Sequence, residues 1–156
     1  MKKYLKIIFI FLPFLSFAQL TSEEKSIIEN YANNICPCIN NTINTLDPKV
    51  VEFVNLMADE GEEKTMIQIQ EYISTHSEEE SKKLIAGFDK MSSPEFGEKI
   101  EKCDNKENLT SEMSNSIDNV EGIYADYFYK LLKTNSVCKL TNYLMELGNT
   151  EEETKQ

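Results

Sequence analysis

The sequence contains no arginine and no tryptophan, and its single histidine is His76. All 16 basic residues are lysines, against 27 acidic residues, so the formal net charge is −11. Arginine is the side chain that binds phosphate groups bidentately, and a nucleic-acid surface needs concentrated positive charge. The composition therefore argues strongly against nucleic acid as a partner and disfavours an anionic membrane surface.

Common catalytic signatures are also absent. The chain has no Gly-x-Ser-x-Gly, P-loop, His-Glu-x-x-His or Glu-x-x-His pattern, which removes common hydrolases, NTPases, zincins and di-iron bundles. His76 precedes a helix-start signal and is expected to be a solvated helix-terminus residue. The acidic clusters lack the ligand spacing of a calcium loop. We therefore expect no catalytic activity, no cofactor and no metal.

Residues 1–18 have the three parts of a secretory signal peptide. Three lysines lie among the first six residues, an apolar run follows at positions 7–15, and Ser16 and Ala18 are small residues at the −3 and −1 positions. The run is too short for the roughly 20 residues of a membrane span, so cleavage after Ala18 is favoured over an uncleaved anchor. No cysteine follows this point, which argues against a lipoprotein. The ending Ser-Phe-Ala-Gln resembles the export signals of Gram-negative bacteria, which implies a periplasmic or secreted protein.

Cleavage would leave residues 19–156, with 13 lysines, 27 acidic residues and a net charge of −14. We predict one helical domain over residues 19–150, a disordered acidic tail over 151–156, and no stable membrane span in the processed chain. A strongly acidic surface suits a basic partner.

Apolar residues recur at three- and four-residue steps along most of the chain, which is typical of amphipathic helices. Thr21 with Glu24 and Ser77 with Glu80 form capping boxes, and two further starts are marked by an N-cap residue followed by proline, Asp47-Pro48 and Ser93-Pro94. A short strand stays open as an alternative at 67–69. Residues 113–131 have the period of one long amphipathic helix or of a short coiled-coil seam. The predicted fold is an all-α single compact domain of six or seven helices.

Four cysteines, Cys36, Cys38, Cys103 and Cys138, form the one constellation with distinctive chemistry. An even number in an exported chain predicts two disulfides, although three pairings are possible. On a continuous helix Cys36 and Cys38 flank the apolar stripe by about 80° on either side. Each can therefore reach a different neighbour, one at Cys103 and one at Cys138, in either assignment. A bond between Cys36 and Cys38 would be strained, because side chains two residues apart on a helix diverge.

The Cys-Pro-Cys motif of Cys36 and Cys38 resembles the redox dithiol of the mitochondrial intermembrane-space import oxidoreductase and the copper-binding dithiol of copper-transporting ATPases. The first resemblance implies a redox-active pair, and the second implies a soft-metal site. Both cover three residues, and the chain lacks the Cys-x9-Cys helices and the membrane segments of those proteins.

Three hypotheses for function follow. The favoured one is a disulfide-stabilised binding protein, such as an inhibitor, an immunity-type protein or an accessory subunit, with a protein partner whose surface is basic. The second is a helical carrier of a small apolar ligand, similar in general form to insect odorant-binding proteins, which predicts a closed apolar cavity of several hundred Å³. The third is a thiol-disulfide oxidoreductase that uses Cys36 and Cys38.

Overall fold

The computed structural model describes residues 19–153, with side chains described to Leu147, and the predicted signal peptide lies outside this range. The described residues form eight α-helices and one 3₁₀ turn, Ser136–Cys138. The α-helices are α1 (Ser22–Ile43), α2 (Pro48–Glu60), α3 (Glu62–Thr75), α4 (Glu78–Met91), α5 (Pro94–Glu101), α6 (Ser111–Asp118), α7 (Gly122–Thr134) and α8 (Lys139–Glu153). The all-α fold is therefore confirmed, and the segment at 67–69 is helical.

The predicted helix starts are set by local hydrogen bonds. Thr21 and Ser77 each accept the backbone N–H of a glutamate three residues on, and that glutamate's carboxylate accepts the cap's own N–H, which completes both capping boxes. Asp47 and Ser93 cap helices whose first residue is proline. These starts depend only on neighbours in the sequence.

Helix α1 is the central element of the fold. It packs against α5, α7, α8 and the 3₁₀ turn, and its buried stripe consists of Ile28, Tyr31, Ala32, Ile35, Cys36, Ile39 and Ile43. Pro37 lies inside the helix on its exposed side, so α1 continues through it as one element. On the far side of the domain, α2 packs against α3, α4 and α8.

The predicted long helix over 113–131 is instead two helices, α6 and α7, and this raises the number of helices to eight. The break contains two residues in the left-handed region, Val120 at φ 55° and Gly122 at φ 81°. Glycine adopts this conformation without strain. Ser116 holds the turn, since its hydroxyl donates to the Glu121 carbonyl and accepts the Ala125 N–H at 3.1 Å. The apolar residues at the predicted steps do not stay buried across the break, since Val120 is 46% exposed and α7 buries Ala125, Phe128 and Leu132.

Two boundary predictions concern the end of the chain. Helix α8 runs from Lys139 to Glu153 and so continues past residue 150, the predicted end of the helical domain. Residues 154–156 of the predicted tail lie outside the described residues, and the tail stays a prediction. Over residues 19–153, no helix combines the length and apolar character that a membrane crossing requires.

Candidate functional site

The four cysteines form two disulfides, as predicted. Cys36 bonds to Cys138 across a Cα–Cα distance of 4.8 Å, and Cys38 bonds to Cys103 across 5.5 Å. The two disulfides extend from opposite sides of the apolar stripe of α1. The Cys36 bond reaches the 3₁₀ turn, and the Cys38 bond reaches the residues that follow α5. The sequence left the assignment open, and the packing of α1 between these two elements decides it.

The two disulfides differ in their access to solvent. Cys36 and Cys138 have no exposed surface, whereas Cys38 is half-buried beside the exposed Pro37. Both cysteines of the Cys-Pro-Cys motif are thus bonded to other partners, and no free cysteine occurs among the described residues. The motif has no bond of its own here, so the oxidoreductase hypothesis gains no support from this arrangement.

A polar network lies next to Cys103 and joins α1 to the loop before α6. The Tyr31 hydroxyl donates to Asp104, and Lys106 pairs with Asp104 at 2.9 Å and with Asp118. Burial, together with the hydrogen bond to Asp104, raises the pKa of Tyr31 well above its usual value. Burial opposes the charged form of Lys106, but the two carboxylates outweigh it and the pKa of Lys106 is raised. The network holds the loop that carries Cys103 against α1.

Three more tyrosines link helices through glutamates. Tyr124 donates to Glu24 at 2.7 Å, and this bond raises the pKa of Tyr124 to about 12. Tyr127 donates to Glu29, and the bond raises its pKa as well. Tyr143 of α8 donates to Glu62 at 2.9 Å. The tyrosines of α7 are half-buried rather than core residues, so their hydroxyls stay near enough to the surface to meet carboxylates.

His76 is exposed at the end of α3, as predicted. Its Nδ1 lies 3.0 Å from the Tyr72 carbonyl oxygen, and its ring stacks on that of Tyr72 with centroids 3.7 Å apart. Within residues 19–153, no three histidine, cysteine or acidic side chains come together in a way that could hold a metal ion. The arrangement is that of a helix-terminal residue.

The domain's interior is filled by large side chains, among them Phe128 and Leu132 at 0% and 1% exposure. One surface groove of about 460 Å³ lies between the start of α1 and α7, with Lys25, Ile123, Tyr127 and Lys130 in its lining. It is open to solvent. The carrier hypothesis predicts a closed cavity, which this groove does not provide.

The surface also carries large apolar side chains that none of the sequence motifs marks. Four of the six large hydrophobic residues that are exposed in the described part of the chain belong to the α3–α4 hairpin, namely Met66, Ile67, Ile73 and Ile85. A signal was present in the sequence, because the apolar residues of α3 exceed what a single buried stripe needs.

No protein family, no curated protein and no solved structure matches this chain.

Proposed function

We propose that this chain is an exported, disulfide-stabilised helical protein of the periplasm or the exterior of a Gram-negative bacterium. It acts by binding a protein partner, as an inhibitor, an immunity-type protein or an accessory subunit does. The observation that carries the proposal is the pair of long-range disulfides, which close separations of 102 and 65 residues. Disulfides of this kind persist in oxidising compartments.

The predicted signal peptide is independent support for export. Residues 1–18 combine a lysine-rich start, an apolar run and small residues before the predicted cleavage point. Removal of this segment gives a chain with a net charge of −14, from 13 lysines and 27 acidic residues. Such a field favours association with a basic protein surface.

Binding is favoured over catalysis because the described side chains offer no activated group. All four thiols are bonded in disulfides, and the one histidine lies at a helix end, where its ring stacks on Tyr72. The disulfides hold α1 rigidly against its neighbours, which is a property that a preorganised binding surface exploits.

Expression of the full chain in a Gram-negative host tests the first half of the proposal. Intact mass is expected to show loss of residues 1–18 and of four thiol hydrogens, in protein recovered outside the cytoplasm. A full-length chain with four free thiols in the cytoplasm would overturn export.

The second half is tested by co-purification of the disulfide-bonded protein from an envelope extract of the source bacterium. A stoichiometric protein partner is expected at low salt, and its release is expected as salt rises. The same protein after reduction and alkylation serves as the control. Repeated failure to recover a partner at low salt would overturn the binding function.

A further inference from the structure

Three of the exposed apolar residues form what we call the hairpin patch, defined as Met66, Ile73 and Ile85. Their exposed fractions are 45%, 39% and 48%. Contiguous exposed apolar side chains, unlike scattered single ones, mark surfaces that bind a partner.

Helical spacing and one hydrogen bond between α3 and α4 indicate that the three residues lie along one seam. Met66 and Ile73 are seven residues apart on α3 and so share a face of that helix. The Ser81 hydroxyl of α4 lies 3.3 Å from the Ile73 carbonyl oxygen, to which it donates, so this side of α4 faces α3. Ile85 follows Ser81 by four residues and therefore lies on the same side of α4, one turn further along.

The platform beneath the patch is well packed. Ile69 of α3 and Leu84 of α4 are 7% and 2% exposed and belong to the hydrophobic core. A capping box at Ser77 fixes the start of α4 directly after the turn. The patch is thus part of an ordered surface, and a partner that covers it has little conformational entropy to remove.

Acidic residues border the patch at the open end of the hairpin. Glu63 precedes Met66 by three residues and Asp89 follows Ile85 by four, so each lies one turn from an apolar side chain. The eight ion pairs found among residues 19–153 include neither carboxylate. By contrast, the two lysines at 82 and 83 pair with the glutamates at 78 and 79. The unpaired carboxylates leave a negative rim.

We propose that the hairpin patch is the docking surface for a basic amphipathic helix of a partner protein, an inference that rests on the proposed binding function. The apolar face of that helix covers the seam, and its lysines or arginines reach Glu63 and Asp89. Met66 and Ile73 are two helical turns apart, about 10.5 Å, which matches partner side chains at positions i and i+7. Because the rim of the hairpin patch is negative, charge complementarity requires a positively charged partner helix.

The probe is a synthetic 18-residue helical peptide with leucine on one face and lysine on the other, labelled for fluorescence anisotropy. A leucine–glutamate peptide of the same pattern is its charge control. The disulfide-bonded protein is expected to bind the first peptide, to lose affinity as salt rises, and not to bind the second. The double variant Met66→Gln/Ile85→Gln is expected to bind the lysine peptide roughly tenfold more weakly, or worse.

Ile67→Gln is the matched control, because Ile67 is 62% exposed and, at about 120° around α3 from Ile73, lies outside the hairpin patch. It is expected to bind as the unaltered protein does, and circular dichroism checks that all variants are folded. Equal affinity of the double variant and the unaltered protein would overturn the proposal. So would self-association that the double variant abolishes, since the occupant would then be a second copy of this chain.

The envelope co-purification separates failure of this inference from failure of the proposed function. A partner that is recovered equally by the unaltered protein and by the Met66→Gln/Ile85→Gln variant keeps the binding function but overturns the hairpin patch as its surface. Loss of that partner with the double variant, and its retention with Ile67→Gln, supports both.

Discussion

Removal of the Cys38–Cys103 disulfide is the perturbation whose effect follows most directly from the connectivity. On the chain-entropy treatment, a single cross-link across 65 residues stabilises the fold by about 4.3 kcal/mol. One across 102 residues, as for Cys36–Cys138, contributes about 4.7 kcal/mol. These values apply to each bond alone, and the two bonds are nested.

Nesting reduces what each bond contributes while the other is intact. With Cys36–Cys138 in place, Cys38 and Cys103 are joined by two chain paths, one of 65 residues and one of 35 plus 2 residues through the other bond. Two chain paths in parallel constrain the ends like one loop whose length is the product of the two lengths divided by their sum, here about 24 residues. Cys38–Cys103 therefore adds about 3.4 kcal/mol to the free energy of unfolding. By the same reasoning Cys36–Cys138 adds about 3.8 kcal/mol, and loss of both removes about 8 kcal/mol.

The assay is urea unfolding of Cys38→Ala/Cys103→Ala, followed by circular dichroism, against the unaltered protein. This variant is expected to fold and to lose about 3.4 kcal/mol of unfolding free energy. A variant with all four cysteines replaced by alanine is expected to be unfolded, because the loss of about 8 kcal/mol is comparable to the total stability of about 5 to 15 kcal/mol of a domain of this size. A loss below about 1 kcal/mol for the first variant would refute the reasoning.

The same bond is expected to open first under mild reduction. Cys38 is half-buried beside exposed Pro37, whereas Cys36 and Cys138 have no exposed surface. Alkylation and mass mapping after partial reduction should label Cys38 and Cys103 first. Early labelling of Cys36 with Cys138 would contradict the exposure argument, and early labelling of Cys36 with Cys38 would instead support the redox-pair hypothesis.

Three further predictions concern single residues. Gly87→Ala should destabilise the protein by about 1 to 3 kcal/mol in urea unfolding, because the new Cβ would overlap a methyl group of Val50 in α2. Gly97→Ala, with nothing within 4 Å, should be neutral or stabilising. Tyr31→Phe should lower the free energy of unfolding by about 1 to 2 kcal/mol, because it removes the hydrogen bond to Asp104 in the loop before α6. Tyr129→Phe should lower it little, and equal losses for the two variants would contradict the role of the Tyr31 hydrogen bond. The backbone N–H of Thr21, the N-cap of α1, donates to the Glu24 carboxylate and holds its pKa below 4.5. The stability that this carboxylate adds to the fold is therefore present above pH 4.5 and is lost as the pH falls through its folded pKa. The stability advantage over Glu24→Gln should therefore shrink in unfolding curves taken from pH 6 down to pH 3, and a constant difference would argue against it.

Local signals predicted much of the architecture. The capping boxes at Thr21 and Ser77 begin helices because cap and partner lie three residues apart, which no tertiary contact has to arrange. The stripe of α1 was likewise readable from its period. The break between α6 and α7 was not, because the apolar spacing of the sequence runs through Val120, a residue that the structure places in the left-handed region and leaves 46% exposed.

The candidate surfaces depended more heavily on tertiary structure. The sequence places several apolar residues in α3 and α4, but which of them stay exposed depends on how the hairpin packs on α2. The proposal that Met66, Ile73 and Ile85 share one surface depends on the meeting of two helices, where the Ser81 hydroxyl donates to the Ile73 carbonyl oxygen. Periodicity describes one helix at a time, so a seam between two helices is invisible to it.

The amino-acid sequence by itself determined the helical class, four of the eight α-helix starts, the acidic charge and the placement of Cys36 and Cys38 on opposite sides of the α1 stripe. These properties follow from composition and from spacings of two to four residues. Only the tertiary structure decided that Cys36 bonds to Cys138 and Cys38 to Cys103. The physical reason is that either pairing satisfies the helix geometry of α1, and the choice belongs to the packing of elements 65 and 102 residues away.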